Sequence, residues 1–225
     1  MSKLWKLLCA AVIVLGAGSV LAQDATLKPF VLASKGAGDV AQKVDATKAA
    51  LTKAGFTLAG TYSPYANTTI IGVTNDELRA TAAKSEHGGY GAAMRVAVVK
   101  VKDEVQVSYT NPPYWAAAYR MAGDLKDTSA KLQAALGKVE EFGAKGLTAE
   151  QLRKYHYAFG MEYFNEDNTF VSYPSHEEAV KAVEAGLAAG KFGVTKAWRV
   201  DVPGKKEVLF AVAMKGTPES KQMDD

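Results

Sequence analysis

Residues 94–112 read MRVAVVKVKDEVQVSYTNP. Apolar and polar side chains alternate through 94–101 and again through 105–110, the period of a strand with one buried face. Lys102 and Asp103 fall between the two runs as a turn, so the stretch predicts a β-hairpin. Asn111-Pro112 then predicts a helix start, because proline's fixed φ and missing N–H suit the first helical position. An antiparallel strand pair that feeds a helix sets the class as α+β.

The same periods continue toward the N-terminus. Residues 28–33 predict a strand and 34–38 a glycine loop. Val40, Val44, Thr47, Leu51 and Ala54 recur at helical spacing, with Asp39 placed to cap that helix and Gly55 to end it. Residues 56–62 and 68–73 predict two strands around Ser63-Pro64, 75–85 a short helix, and Gly88-Gly89-Tyr90-Gly91 a flexible loop. Toward the C-terminus, Trp115, Ala118, Ala122, Leu125, Ser129, Leu132, Leu136 and Val139 step by three and four. That spacing predicts one long helix over 112–142 with an apolar seam. The seam either lies across the sheet or is shared with a second copy of the chain.

After residue 147 the pattern returns. At a constant offset Val44 matches Val180, Leu51 matches Leu187, Phe56 matches Phe192 and Tyr62 matches Trp198. A strand at Phe170-Val171 and another over 208–214 complete a strand-helix-strand-strand unit, and Ser175 with Glu178 makes a capping box for its helix. The expected architecture is an antiparallel sheet with helices packed on one face: strand, helix, four strands, long helix. A smaller related unit follows. The main domain is placed at 23–146, the second unit at 147–216 and a polar tail at 217–225.

The first 22 residues, MSKLWKLLCAAVIVLGAGSVLA, have the order of a secretory signal peptide: a positive head at Lys3 and Lys6, a short apolar run, then small residues before a cut after Ala22. The run is too short for a membrane span, which needs roughly 20 apolar residues. The protein is therefore expected in the periplasm or secreted. Removing 22 of 225 residues leaves 203 and takes the formal charge from +3 to +1. So small a charge gives no electrostatic footprint for nucleic acid. Cys9, the only cysteine, goes with the leader, so the mature chain has no disulfide and no thiolate chemistry.

Ala54-Gly55-Phe56-Thr57-Leu58 is followed by Ile70-Ile71-Gly72-Val73-Thr74-Asn75, Met94-Arg95-Val96-Ala97-Val98-Val99 and Val105-Gln106-Val107-Ser108-Tyr109-Thr110-Asn111-Pro112. With these motifs, the run from Val40 to Met121 resembles the domain-of-unknown-function family 302. The stretch from Ser175 to Met214 is similar to the extra region of its longer members. The resemblance implies a strand, a helix, four strands and a long helix. It implies no reaction.

Motifs for chemistry are sparse. Gly36-Ala37-Gly38-Asp39-Val40-Ala41 fits a dinucleotide pattern, but no acidic residue follows at the end of the next strand to hold a ribose. His176-Glu177-Glu178 lacks the second histidine of a zinc helix, since position 180 is valine. His87, with the Met94 or Met121 thioether, would be the residues to hold a metal or heme, although no spacing demands it and the cofactor stays unknown. His156 belongs to an aromatic run expected to line a sheet. Two loops make the better candidate, one carrying His87 and Tyr90 into the strand of Arg95, the other carrying Tyr114 and Trp115 into the long helix. Together they would frame a cavity between sheet and helix for a small-molecule ligand. The competing expectation is a structural or partner-binding module that forms a homodimer through the helix over 112–142. An uncharacterised enzyme ranks third, because no nucleophile and base fall together.

Overall fold

The computed structural model describes residues 25–214; the expected leader over 1–22 and polar tail over 217–225 lie outside them. The first strand, β1 (Phe30–Gly36), runs into helix α1 (Val40–Lys53). Asp39 caps that helix by accepting from the Gln42 N–H at 2.9 Å, and Gly55 ends it at a φ of +86°. Strands β2 (Thr57–Tyr62) and β3 (Thr68–Thr74) follow, then α2 (Asp76–Lys84), β4 (Met94–Val101) and β5 (Glu104–Thr110). The hairpin turns at Lys102, which takes a left-handed φ of +55°. Helix α3 (Pro112–Ala118) starts on its proline as expected.

One face of the antiparallel sheet carries the core. Ile71, Val73, Met94, Val96, Val98, Val107 and Tyr109 alternate inward and are at most 2% exposed. They meet Val44 and Leu51 of α1 and Leu78 of α2. Burial of this many branched side chains supplies the main folding energy, about 1.5–3 kcal/mol for each large one. The centre of the sheet–helix interface is close-packed, and a cavity of about 210 Å³ remains at its edge between β1, β5, α1 and α4, lined by Ser34, Lys43, Thr47, Val107 and Leu136.

The long helix over 112–142 is not present. Helix α3 stops at Ala118, and the chain passes through left-handed Arg120 and Leu125 before α4 (Lys126–Leu136). Ser85 and Arg153 hold the break, accepting from the Ala122 N–H at 2.9 Å and donating to the Met121 carbonyl at 2.8 Å respectively. The apparent period crosses the break only by counting Ala122, which is exposed, and it ignores Gly123, a helix breaker. Leu132 points into the core at 0% exposed, so this part of the seam lies across the sheet, the first of the two expected arrangements. Past α4, residues 140–142 form β6 (Glu140–Phe142) beside β1, so the sheet runs β2-β3-β4-β5-β1-β6. A buried polar knot docks α4 on α2. Asn75, the N-cap of α2, donates to Thr128 Oγ1 at 3.0 Å, and Thr128 in turn donates to Glu77. The glycine loop is a tight, buried 3-10 turn over 88–91 rather than a flexible flap, closed against Ala82 and Met121.

The second half keeps a helix and a strand pair. Short helix α5 (Ala149–Arg153) packs on α3, and α6 (His176–Ala189) leads to the antiparallel pair β7 (Val194–Asp201) and β8 (Val208–Met214). Ser175 caps α6 by accepting from the Glu178 N–H at 3.1 Å. The strand expected at Phe170-Val171 is missing. Residues 155–174 have no helix or strand, and Phe159 and Phe170 stand fully in solvent, so the aromatic run around His156 lines no sheet.

Strands β7 and β8 lie on the sheet's outer face, opposite α1. Gly60 and Gly72 are paired neighbours in β2 and β3, and both point outward. Trp198 covers them: its ring lies over Gly72, its Cβ against Gly60, and it is 5% exposed. A methyl on Gly72 would come within 2.5 Å of the indole Cδ2. Gly72→Ala is therefore expected to cost about 1–3 kcal/mol, read as a lower urea midpoint at unchanged slope. In a Trp198→Ala background the same substitution should cost little. An equal cost in both backgrounds would show that the indole is not what fills the space.

Candidate functional site

The register of the sheet lays out one lateral row on the outer face. Gly60 pairs with Gly72, Gly72 with Arg95, Phe30 with Thr110, and Phe30 with Phe142. The Arg95 N–H donates to Thr110 Oγ1 at 3.1 Å, which joins the two halves of the row. The next row reads Tyr62, Ile70, Ala97, Ser108 and Leu32. Trp198 occupies the glycine end. Phe30 and Phe142 pack against each other at the far end, ring centres 5.6 Å apart and planes tilted by 36°. Arg95 stands between them.

Two cavities meet at Arg95. The first, about 220 Å³, lies between the sheet and β8. Arg95, Thr110, Tyr90, Trp115, Tyr119 and Trp198 line it, and Leu209 and Ala211 close one side. The second, about 280 Å³, lies on the open part of the outer face. Phe30, Tyr62, Ile70 and Phe142 wall it around Ser108 and Thr110. The two therefore share Arg95 and Thr110. Arg95 is the only charged residue lining either, and among the described residues its guanidinium makes no hydrogen bond or ion pair.

The walls are aromatic and held rigidly. Trp115 spends its indole N–H on the Pro29 carbonyl at 3.0 Å and packs on Tyr119 at 5.3 Å. Tyr90 stacks on Tyr119 at 5.8 Å, and Tyr62 meets Trp198 at 5.9 Å. Burial pushes the Tyr119 hydroxyl up in pKa, and the positive field of Arg95 opposes that shift. The lining thus supplies one cation, several hydroxyls and aromatic faces. No carboxylate or imidazole reaches either cavity to move a proton.

Of the residues singled out in the sequence, Tyr90, Arg95 and Trp115 come together here. Tyr114 does not line the cavity; it packs edge-on behind Trp115, ring centres 5.3 Å apart. His87 faces away, its Nε2 3.9 Å from Glu86 and 3.8 Å from Asp167. Neither thioether is presented to it: Met94 Sδ accepts from the Thr110 hydroxyl at 3.3 Å, and the Met121 sulfur packs on Gly91. Among the described residues, no three His, Cys, Asp or Glu side chains cluster as metal ligands. Sequence reasoning missed Trp198, Tyr62, Phe30 and Phe142. The available signal was Gly60 and Gly72, because glycine inside a strand marks close approach of another group.

Tyr109 lines the second cavity from the core side. Burial first, and then the Glu141 charge, push its pKa up to about 12 from 10.0. Unfolding lets this hydroxyl ionise near pH 10 while the native state still holds its proton. Stability is thus undiminished below pH 10 and falls as pH rises toward 12 as the unfolded chain loses this proton first. Tyr109→Phe should flatten part of that alkaline decline in urea titrations. An unchanged slope would contradict the buried hydroxyl.

No family model and no curated protein matches the chain. Among solved structures, the chain is similar to the crystal structure of the uncharacterized conserved protein DUF302 from Bacillus stearothermophilus. The identity is 14%, the match covers 46% of this chain and 92% of that one, and the TM-score is 0.42. That structure bears the name of the family that the sequence from Val40 to Met121 resembles.

Proposed function

We propose that this is an exported binding protein for a small molecule, with its site on the outer face of the sheet under the β7–β8 hairpin. The observation that carries the reading is the pair of cavities walled by aromatic rings and joined at two shared residues, Arg95 and Thr110. Ligand sites are typically concave, mostly apolar and furnished with a few convergent polar groups. The lining has that character. Each cavity alone is below the roughly 300 Å³ at which drug-sized sites begin, so the ligand is small or extends from one cavity into the other. The leader over 1–22 supports export and a role in the periplasm or outside the cell. Among the described residues no helix is long and apolar enough to cross a membrane. An accessory or carrier role fits a lining that binds without offering a proton relay.

Titration of the isotope-labelled protein with indole, a small neutral aromatic, tests the site's location by NMR. Amide shifts are expected at Tyr90, Ala93, Tyr119 and Ala211, and Ala211→Trp should abolish them by filling the first cavity. Shifts spread elsewhere, or none at these positions, would reject the cavity as a binding site.

A further inference from the structure

The chemistry of the two cavities goes beyond their shape, and we infer that the ligand is an organic carboxylate: an anionic head at Arg95 carried on an apolar body. This inference rests on the binding site proposed above and names the class of molecule it takes. Three features carry it.

The first is the charge balance. Arg95 projects from the start of β4 on the outer face, exposed to solvent at the mouth of both cavities, with no carboxylate lining either to neutralise it. Elsewhere on the outer part of the molecule, cations near acidic groups are paired. Arg199 is held by Asp201 and Glu184, Lys138 by Glu141, and Lys196 by Glu184. A guanidinium among aromatic walls, with its donors uncommitted, is matched by an oxygen anion that accepts two parallel N–H bonds.

The second is an orphaned donor. Trp198 is 5% exposed, and its indole Nε1–H has no hydrogen-bond partner. An unpaired buried N–H is costly, because it gives up its bond to water and gains none in return. The ring lines the same cavity as Arg95. By contrast, the neighbouring Trp115 satisfies its own N–H within the protein. The nitrogen itself is closed off from the cavity its ring lines, so a small turn of the indole is what would let a bound acceptor recover the loss at Trp198.

The third is valence and shape. One cation without a second nearby suits a single negative charge better than a phosphate monoester. The aromatic walls on either side, Trp115 and Tyr119 toward β8 and Phe30 and Phe142 toward β6, suit an apolar body that leads away from the head. Because Arg95 sits where the cavities meet, the head is held at the junction and the body lies in one cavity or the other.

The test compares phenylbutyrate with its neutral isostere phenylbutyramide, and with phenyl phosphate, by calorimetry on the mature protein. The carboxylate is expected to bind about 10- to 100-fold more tightly than the amide, the range of a charged hydrogen-bonded pair. Arg95→Gln should erase that preference and leave the affinity for the amide unchanged. Arg95→Lys should restore part of it, because the charge returns without the bidentate fork. Trp198→Phe keeps a ring over Gly72 and should weaken carboxylate binding by removing the donor. Equal binding of acid and amide, unaltered by Arg95→Gln, would overturn the carboxylate while leaving the cavity as a binding site. Tighter binding of phenyl phosphate than of phenylbutyrate would also overturn it. Failure of indole and of all three compounds would instead reject the binding site itself.

Discussion

Two adjacent glycines on the outer face of the sheet decide how this chain is put together. At Gly60 and Gly72 the pleated backbone is bare, and the Trp198 indole lies directly on it. A two-stranded hairpin is at best marginally stable alone. The hairpin holds its shape by lending Trp198 and Val200 of β7, and Val202 of the turn after it, to the core. Polar ties secure the far end: Lys205 donates to the Ser85 carbonyl, and Glu207 accepts from the Gly89 N–H beside the buried 3-10 turn. Any larger side chain at either glycine would lift the hairpin off the sheet.

The position of the candidate site follows from that seat. On the inner face, side chains of α1, α2 and α4 join the strand residues in one core, and the cavity left at its edge is lined by Lys43, Thr47 and Leu136 without an aromatic wall. The outer face is covered only at its β2–β3 end. Space begins where the indole stops, at Arg95, and the same row of residues continues to Phe30 and Phe142. The hairpin thus serves as one wall of the first cavity, and the bare sheet serves as the floor of both. Fold and site share a single structural cause.

Much of this was legible in the sequence where local chemistry and tertiary contact agree. The helix of Val40, Val44 and Leu51, the hairpin at Lys102, and the caps at Asp39 and Ser175 all combine a period with a local signal. The failures have physical reasons. Three-and-four spacing cannot distinguish one helix from two that bury the same side, and Gly123 was outweighed by a match at exposed Ala122. Residues 140–142 are too few to show strand alternation, and they become a strand only because β1 offers an edge. Phe170-Val171 has the composition of a strand but no partner. For the site, Tyr90, Arg95 and Trp115 were visible as a loop-borne cluster. The face they serve was not, because it is made by Trp198, 83 to 108 residues further along the chain. Tyr114 and His87 flank the right residues in sequence and point elsewhere in space.

A cavity lining that offers a lone guanidinium, an unpaired indole N–H and aromatic walls is equipped for recognition. All of that depends on where Trp198 sits, and the proton NMR spectrum of Gly72 reads it directly. The Hα that points out of the sheet lies under the indole face and should be shifted strongly upfield, returning to the ordinary glycine position in Trp198→Ala. An ordinary Gly72 shift in the native protein, unaltered by that substitution, would mean the hairpin is not seated on the sheet and would remove the site with it.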